Sequence, residues 1–156
     1  SRLRDRLLGA WELVECTSVS NPQSGSQHKD HPFGREISGH LIYSEAGYVS
    51  AQLRIPGQAE FKSVDYWTAT PEEHSQAARR YFAYSGQFYV DDDGEKPTVQ
   101  HRFTHCIYPN MIGQLERRVV HFEADNGCEI LRLIPEEPKV TPEGREIIPA
   151  LTWRRL

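Results

Sequence analysis

Gly39-His40-Leu41-Ile42-Tyr43-Ser44-Glu45-Ala46-Gly47-Tyr48-Val49-Ser50-Ala51-Gln52-Leu53-Arg54 is the stretch that decides the fold class. Two runs suited to a pleated surface, residues 39–44 and 48–54, flank Ser44-Glu45-Ala46-Gly47, which reads as a hairpin turn. The second run alternates. Val49, Ala51 and Leu53 fall on one face, and Tyr48, Ser50, Gln52 and Arg54 on the other.

The same pattern recurs outward in both directions. Further strand-like runs cover residues 10–16, 84–91, 98–107, 114–124, 129–134 and 150–155. Ala124-Asp125-Asn126-Gly127 places Asn-Gly where a tight turn wants positive φ, and residues 91–97 form a polar connection of the same kind. Eight short strands at this spacing leave edges that must be hidden. Closure hides them, and eight strands leave room for one small ligand. The expectation is an all-β, eight-stranded antiparallel barrel, one domain over residues 1–156, with one short mid-chain helix. Thr70-Pro71-Glu72-Glu73 reads as an N-cap, a proline at the first helical position and a glutamate three residues after the cap. The helix is expected to run through about Tyr81, with Ala77, Ala78, Tyr81 and Phe82 on its packing face. Residues 17–35 and 135–149 remain as long loops of the kind that shape or cover a site.

Composition narrows the function classes. The 156 residues are 38% hydrophobic and carry a net charge of -4, with 18 basic and 22 acidic residues well mixed. No basic run tracks a phosphate backbone, so nucleic acid is not an expected partner. No stretch approaches the roughly 20 apolar residues of a membrane helix. Cys16, Cys106 and Cys128 form an odd set without a CxxC pair, which points to free thiols in a reducing, cytoplasmic setting. No signal peptide is visible. Because the chain opens with Ser1 and Met111 is its sole methionine, the natural N-terminus is expected to have been removed or replaced. A homodimer stays open. A Gly-rich phosphate cradle, a Gly-x-Ser-x-Gly elbow and a dinucleotide fingerprint are all missing, so no nucleotide, flavin or nicotinamide cofactor is expected.

Several segments carry a family resemblance. Leu8-Gly9-Ala10-Trp11-Glu12-Leu13-Val14 has the Gly-x-Trp opening typical of lipocalins, and Trp153-Arg154-Arg155 closes the last run. The hairpin quoted above, Phe82-Ala83-Tyr84-Ser85-Gly86 and Tyr108-Pro109-Asn110 resemble the lipocalin-like domain family of bacteria and fungi, from about Leu7 to Arg155. The resemblance implies a barrel with a lumen, and Arg154 or Arg155 packed over Trp11 at its narrow end. It departs from secreted lipocalins in having no disulfide pair and in placing its helix mid-chain. It further implies a role with small molecules, either as a carrier or as a cofactor-free isomerase, cyclase or pericyclase of secondary metabolism.

Candidate site residues follow from alternation. In residues 98–107, Val99, His101, Phe103, His105 and Ile107 share the more apolar face, which puts His101 and His105 in the lumen on either side of Phe103. Histidine donates, accepts or moves a proton near neutral pH, and more often serves as a structural residue bonded to a neighbouring strand or a tyrosine. In residues 114–124 neither face is clearly apolar. Arg117 binds a ligand oxygen if it faces inward, and otherwise joins a solvated ladder of cross-strand charges. Tyr84 is a candidate donor at a rim. The candidate catalytic set is therefore His101, His105, Tyr84 and Arg117, and Tyr66, Trp67, Phe88, Phe103 and Gln52 are candidate ligand contacts. No metal site is expected. Two histidines lack a third placed ligand, and His28-Lys29-Asp30-His31 lies on a loop. The functional expectation is binding of a hydrophobic small molecule with cofactor-independent isomerisation or cyclisation, pericyclic chemistry included. The alternative is a non-catalytic carrier.

Overall fold

The computed structural model describes residues 2–20, 28–63 and 65–156. Eight long strands close into an antiparallel barrel: β1 (Gly9–Ser20), β3 (Ser38–Tyr43), β4 (Tyr48–Arg54), β5 (Tyr81–Asp91), β6 (Thr98–Arg102), β8 (Leu115–Asp125), β9 (Cys128–Ile134) and β11 (Glu146–Arg155). Three two-residue strands sit on their flanks. β2 (Lys29–Asp30) pairs with β1, β7 (His105–Cys106) with β5, and β10 (Lys139–Val140) with β11. Closure comes from β1 against β11, a ladder running from Trp11 opposite Arg155 to Ser20 opposite Ile147. Both strands are longer than alternation suggests, because each reaches into a segment whose polar residues and prolines read as loop. Asn126 (φ 50) and Gly127 (φ 79) make the turn between β8 and β9.

α2 (Pro71–Arg79) starts as expected. Thr70 caps Glu73, and the Glu73 side chain returns to the Thr70 amide at 2.9 Å. It stops two residues early. Arg80 caps it, and Tyr81 and Phe82 enter β5 instead, as aromatic residues suited to a pleated surface do.

A second helix, α1 (Arg2–Leu7), lies outside the sequence expectation. Six residues are too few for a helix to stand alone, so tertiary packing holds it. Leu3 and Leu7 are buried, and Leu7 O accepts from Trp11 Nε1 at 2.9 Å. Arg155, rather than Arg154, lies over the Trp11 ring at 4.1 Å. It donates to Leu8 O and Arg6 O and pairs with Glu129. Arg154 instead faces Glu12 on the outer side. Arg6 in turn covers Phe122 at 3.8 Å. One end of the barrel is thus plugged by α1, Trp11 and Arg155.

Candidate functional site

Beyond the plug, the other end of the barrel holds a cavity of about 410 Å³. Ile37, Ala51, Leu53, Leu133 and Leu151 give it apolar walls, and Phe82 and Tyr108 give it aromatic ones. Arg79 and Arg80, at the C-terminal end of α2, stand at its exposed rim. Tyr84 from β5 and Arg118 from β8 supply polar groups from the walls. A mostly apolar concavity with a few polar groups is what a small-molecule site requires.

A column of three polar side chains descends from the cavity toward the plug. Tyr84 Oη lies 2.7 Å from His101 Nδ1, and His101 Nε2 lies 2.7 Å from Tyr43 Oη. His101 is 3% exposed and Tyr43 1%. Burial, aided by the positive charge of Arg118, lowers the His101 pKa to about 3, so the ring is neutral at pH 7. Burial likewise holds Tyr43 and Tyr84 above the ordinary tyrosine range, as neutral hydroxyls.

Neutrality decides the direction of the bonds, because a neutral imidazole has one donor and one acceptor nitrogen. If Nε2 carried the proton, Tyr43 would accept it, and its own O–H would find no acceptor among the described residues. If Nδ1 carries it, Tyr43 donates to Nε2 and Nδ1–H donates to Tyr84 Oη. The Tyr84 O–H is then left over as a donor at the cavity. An orphaned buried donor costs about 1–3 kcal/mol, so hydrogen-bond balance assigns the second arrangement. Phe103 stacks on the Tyr84 ring at 4.0 Å and fixes its plane.

His105 lies outside. From Phe88 to Ser85 β5 advances three residues, while its partners advance four, from His101 to His105. The extra residue is a β-bulge at 102–104, and one extra residue turns every later side chain to the opposite face. Gly86 makes room for it: a Cβ there would stand 1.7 Å from Arg102 O. His101 and Phe103 are therefore buried, and His105 is exposed. Arg117 also points out, held by Glu136 at 2.9 Å and Asp91 at 3.6 Å. The inward arginine is its neighbour Arg118, which shares a face with the core residues Val120 and Phe122. That pairing of Val120 with Phe122 was the available signal. Tyr43 was legible in the same way, two positions from the buried Leu41.

The ligand-contact candidates are dispersed. Phe103 backs Tyr84, and Phe88 sits lower in the core, edge-on to Tyr43 at 4.9 Å. Gln52 is exposed and accepts from the Tyr81 hydroxyl. Tyr66 and Trp67 occupy an exposed 3-10 turn, Trp67 at 78% exposure, their rings tilted against each other at 4.7 Å, and neither lines the cavity. Among the loop histidines, His31 pairs with Glu15 at 3.1 Å and His28 with Asp30 at 2.9 Å. No group of three or more His, Cys, Asp or Glu side chains suited to a metal occurs among the described residues. No described helix is long and apolar enough to cross a membrane.

A closed eight-stranded barrel, plugged at one end by an arginine over a tryptophan and hollow at the other, defines a lipocalin-type small-molecule binder. The chain belongs to the lipocalin-like domain family, whose model matches residues 8–156. It is similar to the 4'-hydroxy-3'-methoxypropiophenone carrier protein of Aspergillus oryzae. The two are 38% identical over 112 residues, covering 69% of this chain and 96% of that protein. No solved structure matches.

Proposed function

We propose that the barrel is a carrier for a hydrophobic, carbonyl-bearing aromatic compound, held with its oxygen at Tyr84. The observation that carries this reading is the Tyr84 hydroxyl at a mostly apolar cavity, its O–H left free for a ligand by the hydrogen-bond balance of the column. The relative named as a carrier of an aryl ketone supports the same ligand class. Three cysteines without disulfide partners fit the cytoplasm as its setting.

The test is calorimetric titration with 4'-hydroxy-3'-methoxypropiophenone. Tyr84→Phe should weaken binding by about 3–10-fold, the net worth of one neutral hydrogen bond. Unchanged affinity in that variant removes Tyr84 from the site.

A second reading, cofactor-independent isomerisation or cyclisation in secondary metabolism, draws on a separate observation. Tyr84 and Arg118 line the same cavity, and the charge of Arg118 is felt at the Tyr84 hydroxyl. A donor and a cation so placed stabilise an oxygen that gains charge in a transition state. Deuterium exchange at the ketone's α-carbon, followed by NMR, separates the two. A carrier shields the bound ketone and leaves exchange at or below its solution rate, and a catalyst that stabilises the enolate-like state raises it above that rate.

A further inference from the structure

The charge around the cavity is one-sided. Its charged lining residues are Arg79, Arg80 and Arg118, and no aspartate, glutamate or lysine is among the described residues that line it. This contrasts with the chain as a whole, which carries a net charge of -4. Arg80 is tied back, donating from Nη1 to Pro56 O at 2.7 Å, and Arg79 stands exposed in the last turn of α2. Arg118 is the deep one, with its side chain 26% exposed. Its Nη1 donates to Glu116 Oε2 at 3.0 Å and to Arg117 O at 2.9 Å. Its Nε and Nη2 have no partner among the described residues. Glu116, the one carboxylate against it, does not line the cavity.

We infer that the ligand of this cavity carries one anionic oxygen, a carboxylate, enolate or phenolate on an apolar aromatic body, which Arg118 and the Tyr84 hydroxyl bind together. The inference rests on the cavity being a binding site and adds the charge of what enters it. A guanidinium with spare donors beside a hydroxyl donor matches an oxyanion. The apolar walls strengthen that pairing because little water screens it. A neutral carbonyl accepts from the same donors, but an anionic oxygen accepts charge-assisted bonds about twice as strong. The two exposed arginines at the rim favour entry of an anion over a cation.

The test uses a matched pair, biphenyl-4-carboxylate and its methyl ester, titrated calorimetrically near neutral pH. The wild-type protein should prefer the carboxylate by about 10–100-fold, the range of a hydrogen bond to a charged group. In Arg118→Gln the ratio should fall toward one. In Glu116→Gln, where Arg118 loses its competing carboxylate, the ratio should rise. An ester that binds as tightly as the carboxylate, or a preference that survives Arg118→Gln, overturns the inference. If Arg118→Gln does not fold, Glu116→Gln decides, and a ratio that stays level or falls overturns it. Ester binding without carboxylate binding removes this inference and leaves the binding site in place. Binding of neither probe removes both.

Discussion

Acid should weaken this fold through one residue, His101. Folded, the ring stays neutral down to about pH 3, because burial and Arg118 oppose its protonation. Unfolded, it takes up a proton below its ordinary pKa of about 6.5. Between those values the unfolded chain binds more protons, so stability rises with pH across the window and is lost as pH falls. Each pH unit below 6.5 costs about 1.4 kcal/mol, which gives about 2 kcal/mol between pH 6.5 and pH 5. Carboxylates enter mainly below that interval. The perturbation is His101→Gln, which does not titrate yet keeps one donor and one acceptor for Tyr84 and Tyr43. Urea unfolding at a series of pH values should show wild-type stability falling by about 2 kcal/mol more than the variant over this interval. Equal pH slopes in the two proteins would refute the neutral, doubly bonded ring. The assignment of Tyr84 as the cavity donor would fall with it.

Two further predictions concern the frame that holds the site. Trp11→Ala should lower stability by about 3–5 kcal/mol in urea unfolding, because it empties a fully buried aromatic site and strips Arg155 of its ring. A loss near zero would mean that the plug does not hold the closed end. Gly86→Ala should lower the thermal midpoint and weaken aryl-ketone binding together, since its Cβ meets Arg102 O at 1.7 Å and the bulge must move. Unchanged ligand affinity in a destabilised protein would separate the bulge from the site.

Much of the frame was legible because it depends on local rules. The hairpin at residues 44–47, the Asn126-Gly127 turn and the Thr70–Glu73 capping box each declare themselves within four residues. Closure was legible because eight strands with no covering layer have few other ways to hide their edges. α1 was not, since its six residues are held by contact with the barrel end rather than by helix propensity. The site was harder still. Alternation put His101 inside, but continued past Phe103 it put His105 inside as well. One extra residue at 102–104 reverses parity, and the room for it sits on another strand, in the missing Cβ of Gly86. Parity failed differently on β8, where both faces carry charge. Arg117 and Arg118 differ in role through what surrounds them, Asp91 and Glu136 around the first, and Glu116 with the cavity and its Tyr84 hydroxyl around the second. Tyr66 and Trp67 show the limit of composition, because a large aromatic pair in sequence says nothing of which way its turn faces.

The chemistry open to this cavity follows from what the column does to protons. A group that transfers protons near neutral pH has a pKa close to the working pH. His101 is displaced well below that range and both tyrosines are displaced above theirs, so none of the three is poised to exchange a proton with a ligand. The column instead fixes direction. Tyr43 donates up the chain of bonds toward the cavity, His101 passes the polarity on, and the Tyr84 O–H is aimed by two groups that cannot easily reverse it. Such a donor is preorganised, and it orients and polarises an oxygen without giving up its proton. A carrier uses that to choose its ligand. A catalyst of cyclisation uses the same contact to hold a reactive conformation and draw charge onto the oxygen. The two readings therefore agree about Tyr84 and Arg118 and part over the apolar walls, which either hold the carbon skeleton at rest or press it toward bond formation. Variants of the polar groups measure binding in both cases. The fate of the bound ligand's own carbon and α-hydrogen atoms is the measurement on which the two readings differ.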